Sequence, residues 1–213
     1  MKNALQFAKQ YCKEGLHPIP VQYKGKKPTV PTDWTNLKVT TDNAEQYFNG
    51  KETNIGILLV DGLIDIDIDD ERLLGLAKYI LPPSGLVFGR ASKRSSHYLY
   101  KSDHQETKRY TFGKKTLIEI RSKGCQTVVP PSTHTEGEVI TWERRESLTK
   151  TSSEQITQCV GLLAFTSIIL NYYPSVSGER NDVCDAITGV LLRAGFGTED
   201  IDTTVTFIAQ HCG

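Results

Sequence analysis

The stretch GLIDIDIDD, residues 62–70, sets three carboxylates, Asp65, Asp67 and Asp69, in alternation with three isoleucines, Ile64, Ile66 and Ile68. A period of two predicts a strand, because successive side chains of a strand point to opposite faces. One face reads as β-branched and apolar, the other as a row of acids. Residues two apart are ~6.6 Å apart along a strand. Carboxylates that lean to ~4 Å repel by roughly 4 kcal/mol at an effective dielectric of about 20. Such a row is either solvated or neutralised by a cation. Asp69, at the strand end, reads first as a helix cap and second as a metal ligand.

A second stretch repeats the design. In LIEIRS, residues 117–122, Ile118 and Ile120 face one way while Leu117, Glu119 and Arg121 face the other. If the two strands share a sheet, Asp65, Asp67 and Glu119 converge. Ligands that are all oxygen suit Mg²⁺ or Mn²⁺ rather than zinc. Two such ions bridge substrate phosphates and stabilise both attacking and leaving oxygens. Between the acids, FGRASKRSSHYLYK, residues 88–101, supplies Arg90, Lys93, Arg94, Ser95, Ser96 and His97 at a turn between two strands. Cations and hydroxyls grouped in this way suit a triphosphate. Alternation puts Ser95 and His97 on one face. The plainer alternative is a basic surface turn with a packed histidine. His134 reads first as a polar loop residue and second as a contributor to the site.

Outward from these stretches, residues 3–15 form a helix stopped by Gly15, and HPIPVQ a short edge strand, since its prolines cannot donate to a ladder. A loop with three lysines follows, then a short helix in TTDNAEQYFNG, opened by a Thr or Asp cap and closed by Gly50. NIGILLV and LIDIDID flank Asp61-Gly62, a strong hairpin signal. DDERLLGLAKYIL is an amphipathic helix ending at Pro82-Pro83. Strands follow in GLVFGR, SHYLYK, LIEIRS, QTVVP and EVITW. Everything after TSSEQ reads as helical. The expected architecture is α+β: a mixed or antiparallel sheet with flanking helices over residues 1–150, then a small all-α bundle over 151–213.

Apolar residues make up 38% of the 213 and charged residues 23%, ordinary values for a globular chain. No apolar run approaches the ~18 residues of a membrane span, and the amphipathic start lacks a signal-peptide core. The expectation is a cytoplasmic protein. Five scattered cysteines with no CxxC pair point to neither zinc nor a disulfide framework. The net charge of zero conceals an asymmetry: residues 151–213 hold two basic and seven acidic residues, leaving 23 and 18 for residues 1–150.

The order hydrophobic-D-x-D, then S-x-H, then hydrophobic-E-x-R followed by VVPPSTHTEGEVITW resembles the archaeo-eukaryotic primase superfamily, in its branch of bifunctional primase-polymerases from plasmids, phages and mobile elements. The N-terminal helix, strand and Lys-x-Pro loop resemble that branch too. The resemblance covers about residues 1–145, and residues 178–211 resemble the helical bundle that follows such a domain. It implies a DNA primase and DNA polymerase that synthesises and extends primers on a single-stranded DNA template from dNTP or NTP substrates. It gives Asp65, Asp67 and Glu119 the role of ligands to two Mg²⁺ or Mn²⁺ ions. Ser95 and His97 match its contacts to the incoming nucleotide, His97 also counting as catalytic; Arg90, Lys93, Ser96 and Arg121 are expected beside them as further nucleotide-binding residues. Glu119 stands where relatives often have Asp. Relatives commonly continue into a replicative helicase, so a fused or associated helicase is expected and this chain reads as the N-terminal part of a longer protein. A metal-dependent nuclease and a non-catalytic origin-binding module remain open alternatives.

Overall fold

In the computed structural model, residues 4–30, 33–49, 52–174 and 177–212 are described. Gly50, expected to stop the second helix, lies outside them, as do Pro31 and Thr32 of the lysine loop and the first three residues. The fold is α+β, with antiparallel sheets followed by C-terminal helices. The elements are α1 (Ala4–Lys13), β1 (Pro18–Gln22), α2 (Ala44–Tyr47), β2 (Thr53–Leu58), β3 (Leu63–Ile68), α3 (Leu74–Ile80), β4 (Leu86–Arg90) and β5 (Lys93–Lys101). They continue with β6 (Lys108–Phe112), β7 (Lys115–Arg121), β8 (Gln126–Val129), β9 (Ile140–Arg145), β10 (Thr149–Lys150), α4 (Ser153–Ile169), α5 (Ser177–Arg193) and α6 (Thr198–Cys212). One sheet has the order β1-β2-β8; the other runs β6-β7-β3-β5-β4-β9, with β10 beside β5.

The chain divides into two compact units. The first comprises residues 1–67, 84–108 and 119–153, and the second residues 68–83, 109–118 and 154–213.

In the first unit, Ile55, Ile57 and Val129 of one sheet share a buried core with Leu63, Leu86, Phe88 and Leu99 of the other, lined by Ala4, Ala8 and Tyr11 of α1. This packing decides the fate of the acidic stretch. Leu63 and Asp65 lie on one face of β3, and Ile64, Ile66 and Ile68 on the other are all fully buried. Both faces of β3 are therefore covered, so Asp65 and Asp67 are not a solvated row, whereas Asp69, past the end of the strand, is exposed.

The Asp61-Gly62 turn forms with both residues at positive φ, 52° and 77°, closed by Leu63 N–H donating to the Val60 carbonyl at 2.9 Å. The expected hairpin does not follow. β2 pairs with β1 and β8, while β3 lies between β7 and β5. The local turn is right, but each strand finds longer-range partners and the chain crosses from one sheet to the other.

The loop after β8 is stitched to β2 by buried polar side chains. Asn54 donates to the Thr133 carbonyl at 2.8 Å and accepts its N–H at 2.9 Å. Ser132 Oγ accepts the Ile55 N–H at 2.8 Å. The turn leading into α2 carries the expected Thr cap: Thr40 Oγ1 accepts the Asn43 N–H at 3.4 Å and Asn43 Oδ1 accepts the Thr40 N–H at 2.8 Å.

In the second unit, the N–H groups of Asp69 and Asp70 both donate to the Leu117 carbonyl at 2.9 Å. The cap of the turn that follows, residues 71–73, is Asp70, not Asp69. Its Oδ1 accepts the Arg72 N–H at 3.3 Å. α6 packs against both α3 and α5. Among the described residues no helix is long and apolar enough to cross a membrane.

Candidate active site

The site is built where three strands of the larger sheet place polar groups on one face of the first unit. In the antiparallel register of β3 with β5, Asp67 stands opposite His97 and Asp65 opposite Leu99. His97 is also opposite Phe88 of β4. Two-residue alternation therefore sets Asp65, Asp67, His97 and Phe88 on the same side. Glu119 and Arg121 arrive from β7.

These groups meet. His97 Nδ1 lies 3.1 Å from Asp65 Oδ2, and its Nε2 lies 3.6 Å from Asp67 Oδ1. Arg121 is placed among all three acids, with Nη1 at 3.5 Å from Asp65 Oδ2 and 3.7 Å from Asp67 Oδ2, and Nε at 3.8 Å from Glu119 Oε2. Arg121 also donates to the Gln126 carbonyl of β8. The side chain of Asp65 is 0% exposed, and those of Glu119, Asp67, Arg121 and His97 are 12%, 17%, 21% and 22% exposed.

Charge explains how an acid is held at zero exposure. Burial by itself would push the Asp65 pKa up, but the His97 charge and hydrogen bond and the Arg121 charge outweigh it and hold the carboxyl below its ordinary range. Burial would likewise push His97 down, yet Asp67 and then Asp65 raise it. Arg121 is raised by the same carboxylates against its own desolvation. The protein's own cations thus supply part of the neutralisation that Asp65 and Asp67 require.

Phe88, unflagged by sequence, backs the imidazole. Its ring stacks on His97 with centroids 4.6 Å apart and planes 3° from parallel. Trp142 meets Phe88 edge-on at 5.3 Å. Thr127 was also missed. Its buried hydroxyl adds to the lowering of the Asp65 pKa, although among the described residues it has no hydrogen-bond partner at full bonding geometry.

The basic turn is placed differently from the acids. Arg90 pairs with Glu136, and with Glu138 at 3.0 Å. Ser92 donates to Glu138, and Arg94 forks onto Glu143 at 2.9 and 2.7 Å. Ser95 lies at φ 52°, beside an irregularity in β4 between Phe88 and Arg90. Simple alternation therefore does not carry from Ser95 to His97. Ser96 is buried at 3% exposure. Lys93, at the start of β5, is half-buried. His134 sits in the loop, 3.4 Å from Glu136, its pKa lowered by burial and by Arg90 and Lys26.

The three carboxylates offer hard oxygen donors around one point, now marked by the Arg121 guanidinium, and by donor type they fit Mg²⁺ or Mn²⁺. Among the described residues, no three His, Cys, Asp or Glu side chains form a ready-made metal cage.

The sequence model of one family, described as bifunctional DNA primase/polymerase, N-terminal, matches residues 8–159. No curated protein matches the chain.

Proposed function

Since the chain belongs to the bifunctional DNA primase/polymerase family, a family of primase/polymerase-type replication function, we propose that Asp65, Asp67, Glu119, His97 and Arg121 form a nucleotidyl-transfer site. There the 3′-hydroxyl of a primer, or the hydroxyl of a first nucleotide, attacks an α-phosphate on a single-stranded DNA template. The observation that carries this reading is the convergence of three carboxylates and two cationic side chains from β3, β5 and β7.

Asp65, Asp67 and Glu119 would hold the divalent ions, Mg²⁺ or Mn²⁺, whose chemistry is to lower the pKa of the attacking hydroxyl and to neutralise the departing pyrophosphate. The remaining work is positioning and charge. His97, its pKa raised by the two aspartates and its ring fixed by Phe88, donates a charge-assisted hydrogen bond to a phosphate oxygen. Arg121 holds the carboxylates together before substrate arrives and shares their charge afterwards. Lys93, Ser95 and Ser96 at the start of β5 complete the nucleotide subsite, and Arg90 reaches it by exchanging its glutamate partners for phosphate. The lysine loop meets template phosphates without reading sequence.

The division of labour at residue 150 belongs to the same proposal. Residues 1–150 carry extension, and the helices beyond help to hold two nucleotides at initiation through a surface around Arg180, Asn181 and Arg193. Arg180→Ala/Arg193→Ala should lower unprimed synthesis several times more than extension; equal loss in both would remove that role. A replicative helicase, fused or associated, is the proposed partner.

The test of the function is extension of a labelled primer beside synthesis on an unprimed strand, each with Mg²⁺ or Mn²⁺ and with and without nucleotides. Extension that requires nucleotide is expected. Fragmentation of the DNA without nucleotide would favour a nuclease instead.

A further inference from the structure

The segment RYTFGKK, residues 109–115, contains three cations and no acid. It runs from β6, an edge strand, through a turn with Gly113 at φ 59°, into β7. At this turn the second unit exposes two large rings. Phe112 is 39% exposed and Tyr172, after α4, is 68% exposed. The rings meet edge to face with centroids 5.9 Å apart.

Hydrogen bonds and an ion pair run from the neighbour of Tyr172 to the hairpin of Phe112 through Arg72, Asp70 and Lys115, a cationic border on one side of the pair. Asn171, the neighbour of Tyr172, accepts from Arg72 Nη1 at 3.1 Å. Arg72 is forked onto Asp70, and Asp70 lies 3.9 Å from Lys115 Nζ on the hairpin of Phe112. The carboxylate inside this border, Asp70, is 2% exposed, whereas Lys115 is 62% exposed. Arg72, Lys115 and, on the same hairpin, Arg109 and Lys114 thus stand against three acids, Asp69, Asp70 and Glu71, of which Asp70 is buried. Lysines on an edge strand also guard against unwanted sheet pairing, but that role needs no exposed aromatic pair.

We propose that the Phe112–Tyr172 pair and its cationic border are a platform for single-stranded DNA, with bases stacked on the rings and phosphates against Lys114 and Lys115. The proposal rests on the reading of the chain as an enzyme that works on a DNA template. Every base has a face to stack and every linkage a charge, so rings set among cations hold a strand without reading its sequence. A protein partner covering the rings would gain nothing from the cations unless it were acidic; a nucleic acid uses both.

The test is fluorescence anisotropy of a labelled oligothymidine of about 20 nucleotides with the full chain, over a range of salt. Phe112→Ala/Tyr172→Ala should weaken binding about tenfold with the salt slope unchanged, and Tyr172→Phe should bind as wild type. Lys114→Ala/Lys115→Ala should reduce the salt slope by about 1.4, for two lost contacts to a single strand. Should the double aromatic variant fail to melt as wild type does, Tyr172→Ala alone, at an exposed position, gives the same reading. Binding within twofold of wild type in a folded aromatic variant would overturn the proposal, even where wild type binds the strand and extends a primer. A wild type that does neither would overturn the functional reading and this one with it.

Discussion

Asp65 and Asp70 are five residues apart in one acidic stretch and almost equally buried, at 0% and 2% exposure, yet they hold their cations differently. Asp70 meets more positive charge than it carries. Arg72 forks onto it at 2.6 and 3.0 Å, Ser167 Oγ donates at 2.5 Å, and Lys115 is 3.9 Å away. Its pKa, which burial alone would raise, is brought down to about 2 by the bonds from Arg72 and Ser167. Asp65 instead shares its cations: His97 and Arg121 both lie by Asp67 as well, and Arg121 also lies by Glu119. The difference teaches how to tell a structural acid from a working one. A carboxylate with close cations of its own fastens the chain, whereas carboxylates that share theirs at 3.5–3.8 Å are placed to take further positive charge.

The comparison breaks first on activity. Asp65→Ala and Glu119→Ala should each lower nucleotide incorporation by about 10³-fold or more, while Asp70→Asn should leave the rate per folded molecule near wild type. A folded Glu119→Ala that extends normally would erase the distinction. Asp65→Ala should also cost stability, because it leaves Arg121 and His97 short of a buried partner. From sequence alone, relieved repulsion would have made that removal neutral or favourable.

His97→Ala comes next. Loss of one charge-assisted hydrogen bond predicts a rise in nucleotide KM of about ten- to a hundredfold, with affinity for DNA unchanged. Steady-state kinetics beside DNA anisotropy would check it, and the reverse pattern would place His97 on the template side. Phe88→Leu sharpens the same point with a smaller effect. Removing the stacked ring should raise nucleotide KM about two- to tenfold through a looser His97, and the change should vanish in a His97→Ala background.

Much of this was legible in the sequence because it is local. Alternation in residues 62–70 and 117–122 announced the paired strands, and the D-x-D, S-x-H and E-x-R order brought Asp65, Asp67, His97, Glu119 and Arg121 to one place. What was not legible depends on partners distant in the chain. Nothing local tells Asp69 from Asp70 as a cap, since the choice is made by Ser167, 97 residues away. Phe88 reads as an ordinary core residue until β4 is laid beside β5. The Asp61-Gly62 turn formed as read, but which strands pair is decided by longer-range partners. The edge strand at 108–112 was missed because its charged composition resembles a loop.

The smallest effect on activity is the largest on pH dependence. A carboxyl whose folded pKa is lowered contributes stability that is present above its unfolded value and lost as pH falls through the folded one. For Asp70 that window runs from about 4 down to about 2. Asp70→Asn should cost about 1–2 kcal/mol at neutral pH. The gap to wild type, measured by denaturant titration, should close across that window and not above it.

The most direct test of the account is single-turnover addition of one nucleotide to a labelled primer on a template, by wild type and by Asp67→Asn, with Mg²⁺ or Mn²⁺. The substitution keeps the shape of the side chain and removes one charge from the group of three acids. The account predicts rapid addition by wild type and a loss of about 10³-fold in the variant, with both proteins melting alike. Addition by folded Asp67→Asn within a fewfold of the wild-type rate would contradict it.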